Sequence, residues 1–496
     1  KTLRAKVIFL NEEVVSLENQ LTSSGQVKVK NDENENANDA ADYIKPPNAD
    51  DEIFEVNKEK EAKDKDSKEK ELKEKDAKET PDVEGTAPQL KAASVDKLVE
   101  RLALPSRPDI EYMTAFLLSY PTFLKPIELF EKLVQRFCIV PPPTVTSQAA
   151  TKEFIETIQI PIRLRVINVL KHWLDHHYSD FEGNEELLNE LLYFINNTLD
   201  RCGMEKFGHQ LKRIIEKKQL GESTNTIPTH PAPNAIIPTE EQVAWLDWNE
   251  LEISRQVAMI NHGLFKNIIS REFLNQAWTK RPEINAPHIN ACIVWFNRLS
   301  SWMWHEILMA GDLKARVAVI SKLIIIGKHS LEINDFFMCM AIMGALQHFT
   351  IHRLKAVWLQ VNKNMMNMLT EWKKPLSSEN NWANYRDKIE HTQPPCVPFL
   401  GMHLTDLVMI DDGLPNTIHN LVNFAKRRRL ASIIKGMEQY QHTSYNYEVV
   451  PKIRNFFNGE KELPNMNEED GYKLSLLIEP KAADKKRETV RNSNAV

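Results

Sequence analysis

Glycine is scarce, at 15 of 496 residues, about half the usual share. Backbone loops that cradle phosphate need glycine for close approach, so the shortage counts against nucleotide-binding enzyme folds. Cysteine is scarcer still. The five residues Cys138, Cys202, Cys292, Cys339 and Cys396 lie far apart, with no C-x-x-C pair and no zinc-type histidine spacing. Scattered thiols in so long a chain point to a reducing compartment. A long apolar run is missing too: Phe336 to Leu346, the longest, falls short of the roughly 18 to 20 residues that cross a bilayer, and the first residues show no secretory pattern. Nor is there a basic excess. Lys and Arg number 63 against 69 Asp and Glu, a net charge of −6, whereas coating a duplex calls for positive charge. The chain is expected to be soluble and cytoplasmic, with no nucleic-acid partner and no transmembrane contact.

What is present is helical patterning. The chain opens on Lys1 rather than Met, which suggests a fragment, and Leu3, Val7, Leu10, Val14, Leu17 and Leu21 then recur at alternating spacings of four and three. Residues 1–22 therefore read either as a coiled coil, with self-association, or as one amphipathic helix docked on its own chain. Residues 23–89 are polar and highly charged, too poor in apolar groups to offset chain entropy, and read as linker. Within them, acids placed four residues before bases, such as Glu59 before Lys63, would support a stiff solvated helix as readily as a frayed spacer. Two helical regions follow, 90–219 and 241–482, separated by a proline-rich joint at 220–240, with a disordered tail at 483–496. Leu98, Leu102, Phe116, Leu117, Leu129, Leu133 and Phe137 keep helical spacing, and prolines punctuate them. Phe336 to Leu346 is apolar on nearly every side, as a helix surrounded by protein should be. The fold class is all-α.

Motifs of covalent or metal chemistry do not hold up. Gly327-Lys328 looks like the end of a phosphate loop, but Lys322 stands where the earlier glycine belongs. His172 and His176 are one helical turn apart and could face a metal, yet Trp173 and Leu174 between them favour a packing helix. Lys426-Arg427-Arg428-Arg429 could touch phosphate or acidic lipid; its apolar flanks Phe424, Leu430 and Ile433 favour a solvated helix face. No cofactor and no metal is expected.

The stretch Pro394-Pro395-Cys396-Val397-Pro398-Phe399-Leu400-Gly401, followed by Met402-His403-Leu404-Thr405-Asp406-Leu407, resembles the signature of the Ras-type guanine-nucleotide exchange domain. Trp278-Thr279-Lys280, Phe296-Asn297, Ala315 to Val319, Leu421 to Lys426 and Gln439-Tyr440-Gln441 agree with it in order. Residues 90–219 resemble the Ras exchanger motif through Leu98 to Leu102, Phe116 to Tyr120 and Arg165 to Leu174. The resemblance implies an all-α pair of domains, the catalytic one bearing a protruding helical hairpin. That hairpin would stabilise the emptied form of a Ras-family small GTPase, of Ras or Rap type, without making or breaking a bond. It would work in the cytoplasm, recruited to the inner face of the plasma membrane.

Within this family the first hairpin helix offers an acid and an apolar group to the metal and phosphate positions. Lys355 to Lys374 would be that helix here, ended by Pro375, with Trp382 to Glu390 as the second and Leu376 to Asn381 as the turn. Glu371 is the expected acid and Met368 or Leu369 the expected apolar group, packing within the hairpin being the alternative for these two. Asn297, Trp358 and Asn380 are further expected partner contacts, with an interior hydrogen bond as the other role for Asn297. Pro394, Pro395 and Pro398 would set a rigid exit from the hairpin. A noncatalytic GTPase-binding scaffold of the same fold is the alternative function, and an unrelated helical enzyme a remoter one.

Overall fold

Many of the helices begin on a side chain that caps them. Ser94, Asp109, Ser147, Asn184, Asn249, Asp312 and Asp335 each accept the backbone N–H three residues on, satisfying one of the donors a helix start leaves open. The computed structural model describes residues 51–54, 89–105, 109–221, 231–458 and 463–481. The heptad segment 1–22 and the tail 483–496 lie outside the described residues. The fold is all-α apart from one small sheet, and no helix among the described residues is long and apolar enough to cross a membrane. The described cysteines are all free.

The chain divides into two units, Lys1–Ser223 with Met409–Ser432, and Thr224–Val408 with Ile433–Val496. In the first, α1 (Val95–Leu102), α2 (Ile110–Ser119), α3 (Pro126–Phe137), α4 (Ile160–His176), α5 (Glu185–Tyr193) and α6 (Glu205–Gln219) bury the residues whose spacing was helical, including Leu98, Phe116, Leu129, Leu133, Phe137 and Leu170. The buried carboxylate of Asp180 accepts hydrogen bonds from the Tyr120 hydroxyl and from Trp173 Nε1, the latter at 2.9 Å. His172 and His176 lie on α4 with rings 4.3 Å apart. Burial, and then the neighbouring His176, push His172 down to about 4, so it is neutral near pH 7 and serves the packing helix.

Two features of this unit differ from the sequence expectation. The first is strand β1 (Glu52–Phe54), which falls inside the stretch read as linker and pairs antiparallel with β2 (Leu90–Ala93). Ile53 and Phe54 form a short apolar doublet that the average composition of the stretch conceals. The second is that Met409–Ser432, expected within the catalytic region, groups with this unit. Its strands β3 (Thr417–Ile418) and β4 (Leu421–Asn423) form a hairpin around His419 and Asn420, both at positive φ, the form a two-residue hairpin loop requires. Strand β4 pairs with β2, giving the order β1-β2-β4-β3, and the Phe424 ring lies 4.8 Å from that of Tyr112.

The basic run also departs from a solvated face. Lys426 and Arg427 are almost fully buried. Lys426 Nζ donates to the carbonyls of Asp411 and Leu414 and to Asn416 Oδ1 at 2.8 to 2.9 Å, and pairs with the Asp411 carboxylate at 2.9 Å. Helix-end carbonyls need donors, so this lysine closes a helix end where solvent would otherwise serve. Arg428 bonds to Gln89 and the Leu90 carbonyl; Arg429 alone of the four is exposed.

The second unit is built on α7 (Glu250–Phe265), α8 (Pro287–Met309), α9 (Leu313–Glu332) and α10 (Phe336–Gln347). Helix α10 is surrounded as its apolar pattern requires, and it packs against α7, α8 and α9. Gly327 and Lys328 lie within α9, which removes the phosphate-loop reading. At the head of α10, Asp335 is fully buried and accepts from Met338 N–H at 3.1 Å and Asn261 Nδ2 at 2.8 Å, while Trp295 Nε1 donates to Asn261 Oδ1 at 2.7 Å. Burial raises the Asp335 carboxyl to about 7, against the lowering effect of those two hydrogen bonds.

That shift has a sign. Between about pH 4 and 7 the folded form holds a proton here that the unfolded chain has lost, so Asp335 makes stability fall as pH rises through that window. Asp335→Asn keeps an acceptor for Met338 but turns an amide donor toward Asn261, an unmatched contact costing about 1–3 kcal/mol. The melting-temperature gap between the native chain and this variant should therefore be wider at pH 5 than at pH 7.5, as read by circular dichroism.

Candidate functional site

The segment expected to form the first hairpin helix breaks in two. Helix α11 (Lys355–Gln360) ends at Val361, whose backbone is extended, and Asn362 then caps α12 (Lys363–Lys373) by accepting Asn364 N–H at 2.8 Å. A 3₁₀ turn, Lys374–Leu376, follows with Pro375 inside it. Helix α13 (Glu379–Glu390) then opens on a kink: Asn380, Asn381 and Trp382 are all left-handed. Regular helix thus begins after Trp382, close to the expected start of the second hairpin helix.

Helix α12 lies on α9. It buries Leu369 and Trp372, one turn apart, as one inward face requires. The Trp372 ring sits on Gly327, where an added Cβ would come within 2.6 Å of Cζ2. The opposite face exposes Lys363, Asn364, Asn367, Thr370 and Glu371. Of the expected site residues, Glu371 is therefore accessible, and no described residue holds it by a hydrogen bond or ion pair. Met368 is half-buried, whereas Leu369 is buried on the helix that packs on α9, a different neighbour from the hairpin packing that was the alternative for it.

Asn297 is exposed on α8, its side chain making no hydrogen bond with a described residue, and Asn380 is exposed in the left-handed turn. Asn297 adjoins Phe296 in sequence and Asn380 lies two residues before Trp382, and both Phe296 and Trp382 belong to one row of aromatic rings. Phe296 lies 5.8 Å from Phe399, Phe399 lies 5.6 Å from Trp382, and Trp382 lies 6.2 Å from Tyr385. Phe337 and Phe336 close the row from α10 at 5.3 and 5.5 Å from Phe296 and Tyr385. Phe296, Phe399 and Trp382 are half-buried, leaving ring surface accessible. Trp358 is half-buried on α11 and donates Nε1–H to the Ile351 carbonyl at 3.1 Å; no described contact joins it to the row.

The proline-rich exit is held to the core by main chain. Phe336 N–H donates to the Val397 carbonyl and Val397 N–H to that of Asn334, each at 3.0 Å. Phe399 N–H donates to the Tyr385 hydroxyl oxygen at 2.8 Å, and Tyr440 O–H to the Ile389 carbonyl at 2.6 Å. Helix α14 (Leu400–Gly413) starts directly afterwards, and Gly401 leaves room for the Phe399 ring, which a Cβ there would overlap. Arg386 on α13 forks onto Asp406 on α14 at 2.8 and 2.7 Å. Sequence reasoning named Phe399 and Asp406 within the family signature and Trp382 as a helix start but gave none of them a site role, and it passed over Arg386. An indole inside the polar stretch Ser377 to Asn384 was the available signal.

Among the described residues no three His, Cys, Asp or Glu side chains are grouped to hold a metal ion. Half-exposed aromatic rings with exposed amides beside them in sequence, and an exposed carboxylate on α12, are instead what a protein-binding surface is made of. Comparison with known proteins agrees in kind. Residues 252–428 match the RasGEF domain and residues 89–194 the RasGEF N-terminal motif. Ras guanine nucleotide exchange factors W and J of Dictyostelium discoideum are each 32% identical, over 74% and 80% of this chain and 33% and 49% of their own lengths. Ras-specific guanine nucleotide-releasing factor 1 of Mus musculus is 32% identical over 66% of this chain and 26% of its own. The chain belongs to the family of Ras-type guanine-nucleotide exchange factors. It spans half or less of the length of these three relatives.

The contact of Trp372 with Gly327 makes the placement of α12 testable. Gly327→Ala should lower stability by about 1–3 kcal/mol through overpacking, read as a lower urea midpoint. Trp372→Phe added to it, by withdrawing the outer ring, should recover part of the loss.

Proposed function

We propose that the chain promotes GDP release and GTP loading on a Ras-family small GTPase, of Ras or Rap type, by holding the GTPase in its nucleotide-free form. The observation that carries this is the paired match of the exchanger motif and the catalytic domain in one chain, in that order. In this reading residues 90–219 are the exchanger-motif domain and 241–482 the catalytic region, with Met409–Ser432 lent to the first unit.

The outward face of α12 and the Phe296–Phe399–Trp382 row are the surface offered to the GTPase. Glu371 supplies the negative charge that competes with bound phosphate for the magnesium and lysine of the GTPase. Met368, the accessible apolar neighbour, disfavours hydration of that ion. Asn297 and Asn380 donate or accept at the rim. No bond is made. A tenfold acceleration needs only about 1.4 kcal/mol of preference for the emptied partner over the loaded one, and the excess of free GTP sets the direction.

A noncatalytic scaffold of the same fold is the second reading, favoured by Glu371 being the only acid on α12. Full-length chain mixed with Ras-like and Rap-like GTPases loaded with fluorescent GDP separates the two. Release should accelerate on at least one; binding without acceleration on every member would give the scaffold. Glu371→Ala should slow release about tenfold, equivalent to ~1.4 kcal/mol, and leave the melting temperature in place, because the side chain is exposed.

A further inference from the structure

Asn380 (φ 49°), Asn381 (φ 56°) and Trp382 (φ 63°) are three successive left-handed residues, none of them glycine. Asparagine visits this region; tryptophan is an outlier there. A run of this kind persists only where its surroundings over-determine it. We propose that Arg386 and Asp406 form a latch that holds this turn left-handed and so presets the aromatic and amide surface offered to the GTPase. The inference rests on the exchange function above and assigns to this pair a positioning role.

The guanidinium of Arg386 does three things at once. Its Nη1 and Nη2 fork onto the two carboxylate oxygens of Asp406 at 2.8 and 2.7 Å, and its Nε donates to the Asn381 carbonyl at 2.9 Å. Because the fork fixes the plane of the group, the direction of Nε is fixed with it, and the Asn381 carbonyl has one place to point. The turn then carries Trp382 against Phe399 at 5.6 Å and Tyr385 at 6.2 Å, and leaves Asn380 exposed. Asp406 sits on α14 with its side chain 15% exposed, one turn beyond His403. Burial keeps that imidazole near pKa 4 and so neutral, so His403 does not compete with Arg386 for the carboxylate.

Lysine could match the charge of Arg386 but not its fork, which separates geometry from electrostatics. The test uses the full chain with Asp406→Asn, Arg386→Lys and the two combined. Amide hydrogen exchange over residues 379–384, without partner, should quicken about fivefold in each single variant, and the double should be no faster than the singles, since coupled residues are not additive. The melting temperature should barely move. On a GTPase that the native chain accelerates, KM should rise about fivefold with kcat nearly unchanged, because only the competent fraction of turns falls. Unchanged amide exchange, additive losses in the double variant, or a fall in kcat at constant KM would each overturn the latch. Should the native chain accelerate no GTPase, the exchange function fails, and the hydrogen-exchange measurement still decides the latch by itself.

Discussion

An indole resting on a bare patch of helix backbone orients the exposed face of α12 that carries Glu371. With Trp372 turned onto Gly327, the 100° step between neighbouring helical residues leaves Glu371 no course but outward, and Leu369, three positions earlier, follows the indole in. No described group accepts the Trp372 Nε1 hydrogen. Shape alone therefore seats the ring, and the shape is supplied by a residue with no side chain. The accessibility of the acid is thus a product of packing on its other side, and substitutions hidden in α9 reach the surface through it.

A second constraint acts at the far end of the same segment. The buried Asp335 caps α10 and ties α7 and α8 to it through Asn261 and Trp295, and the adjoining Asn334 and Phe336 grip the exit strand at Val397. The segment between Leu354 and Leu400 is therefore anchored by α12 on α9 and by its exit on α10. Between those anchors the left-handed residues all fall at the kinked start of α13, beside the half-exposed rings.

Much of this was readable from residue order. The helical spacing of Leu98 to Phe137 and the all-round apolar pattern of Phe336 to Leu346 were legible because their causes lie within a few positions. The prolines Pro394, Pro395 and Pro398 suggested a rigid stretch, and main-chain bonds at Val397 tie that stretch to the head of α10. What escaped depended on distant partners. The break at Val361 and Asn362 carries no proline or glycine. Lys426 and Arg427 looked solvated because the acceptors that bury Lys426 stand ten and more residues away, at Asp411 to Asn416. The choice between Met368 and Leu369 rested on which face met α9, and that was decided by Gly327, more than forty residues earlier.

The pairing of Phe54 with Leu90 changes what the charged stretch between them can accomplish. Both of its ends are stitched to one sheet edge, so its contour length sets no distance between the upstream residues and the helices that follow. Doubling such a closed excursion costs roughly 0.6 kcal/mol of closure entropy. The run of alternating lysines and acids is accordingly free to lengthen or shorten in evolution, while Glu52 to Phe54 stay paired with β2.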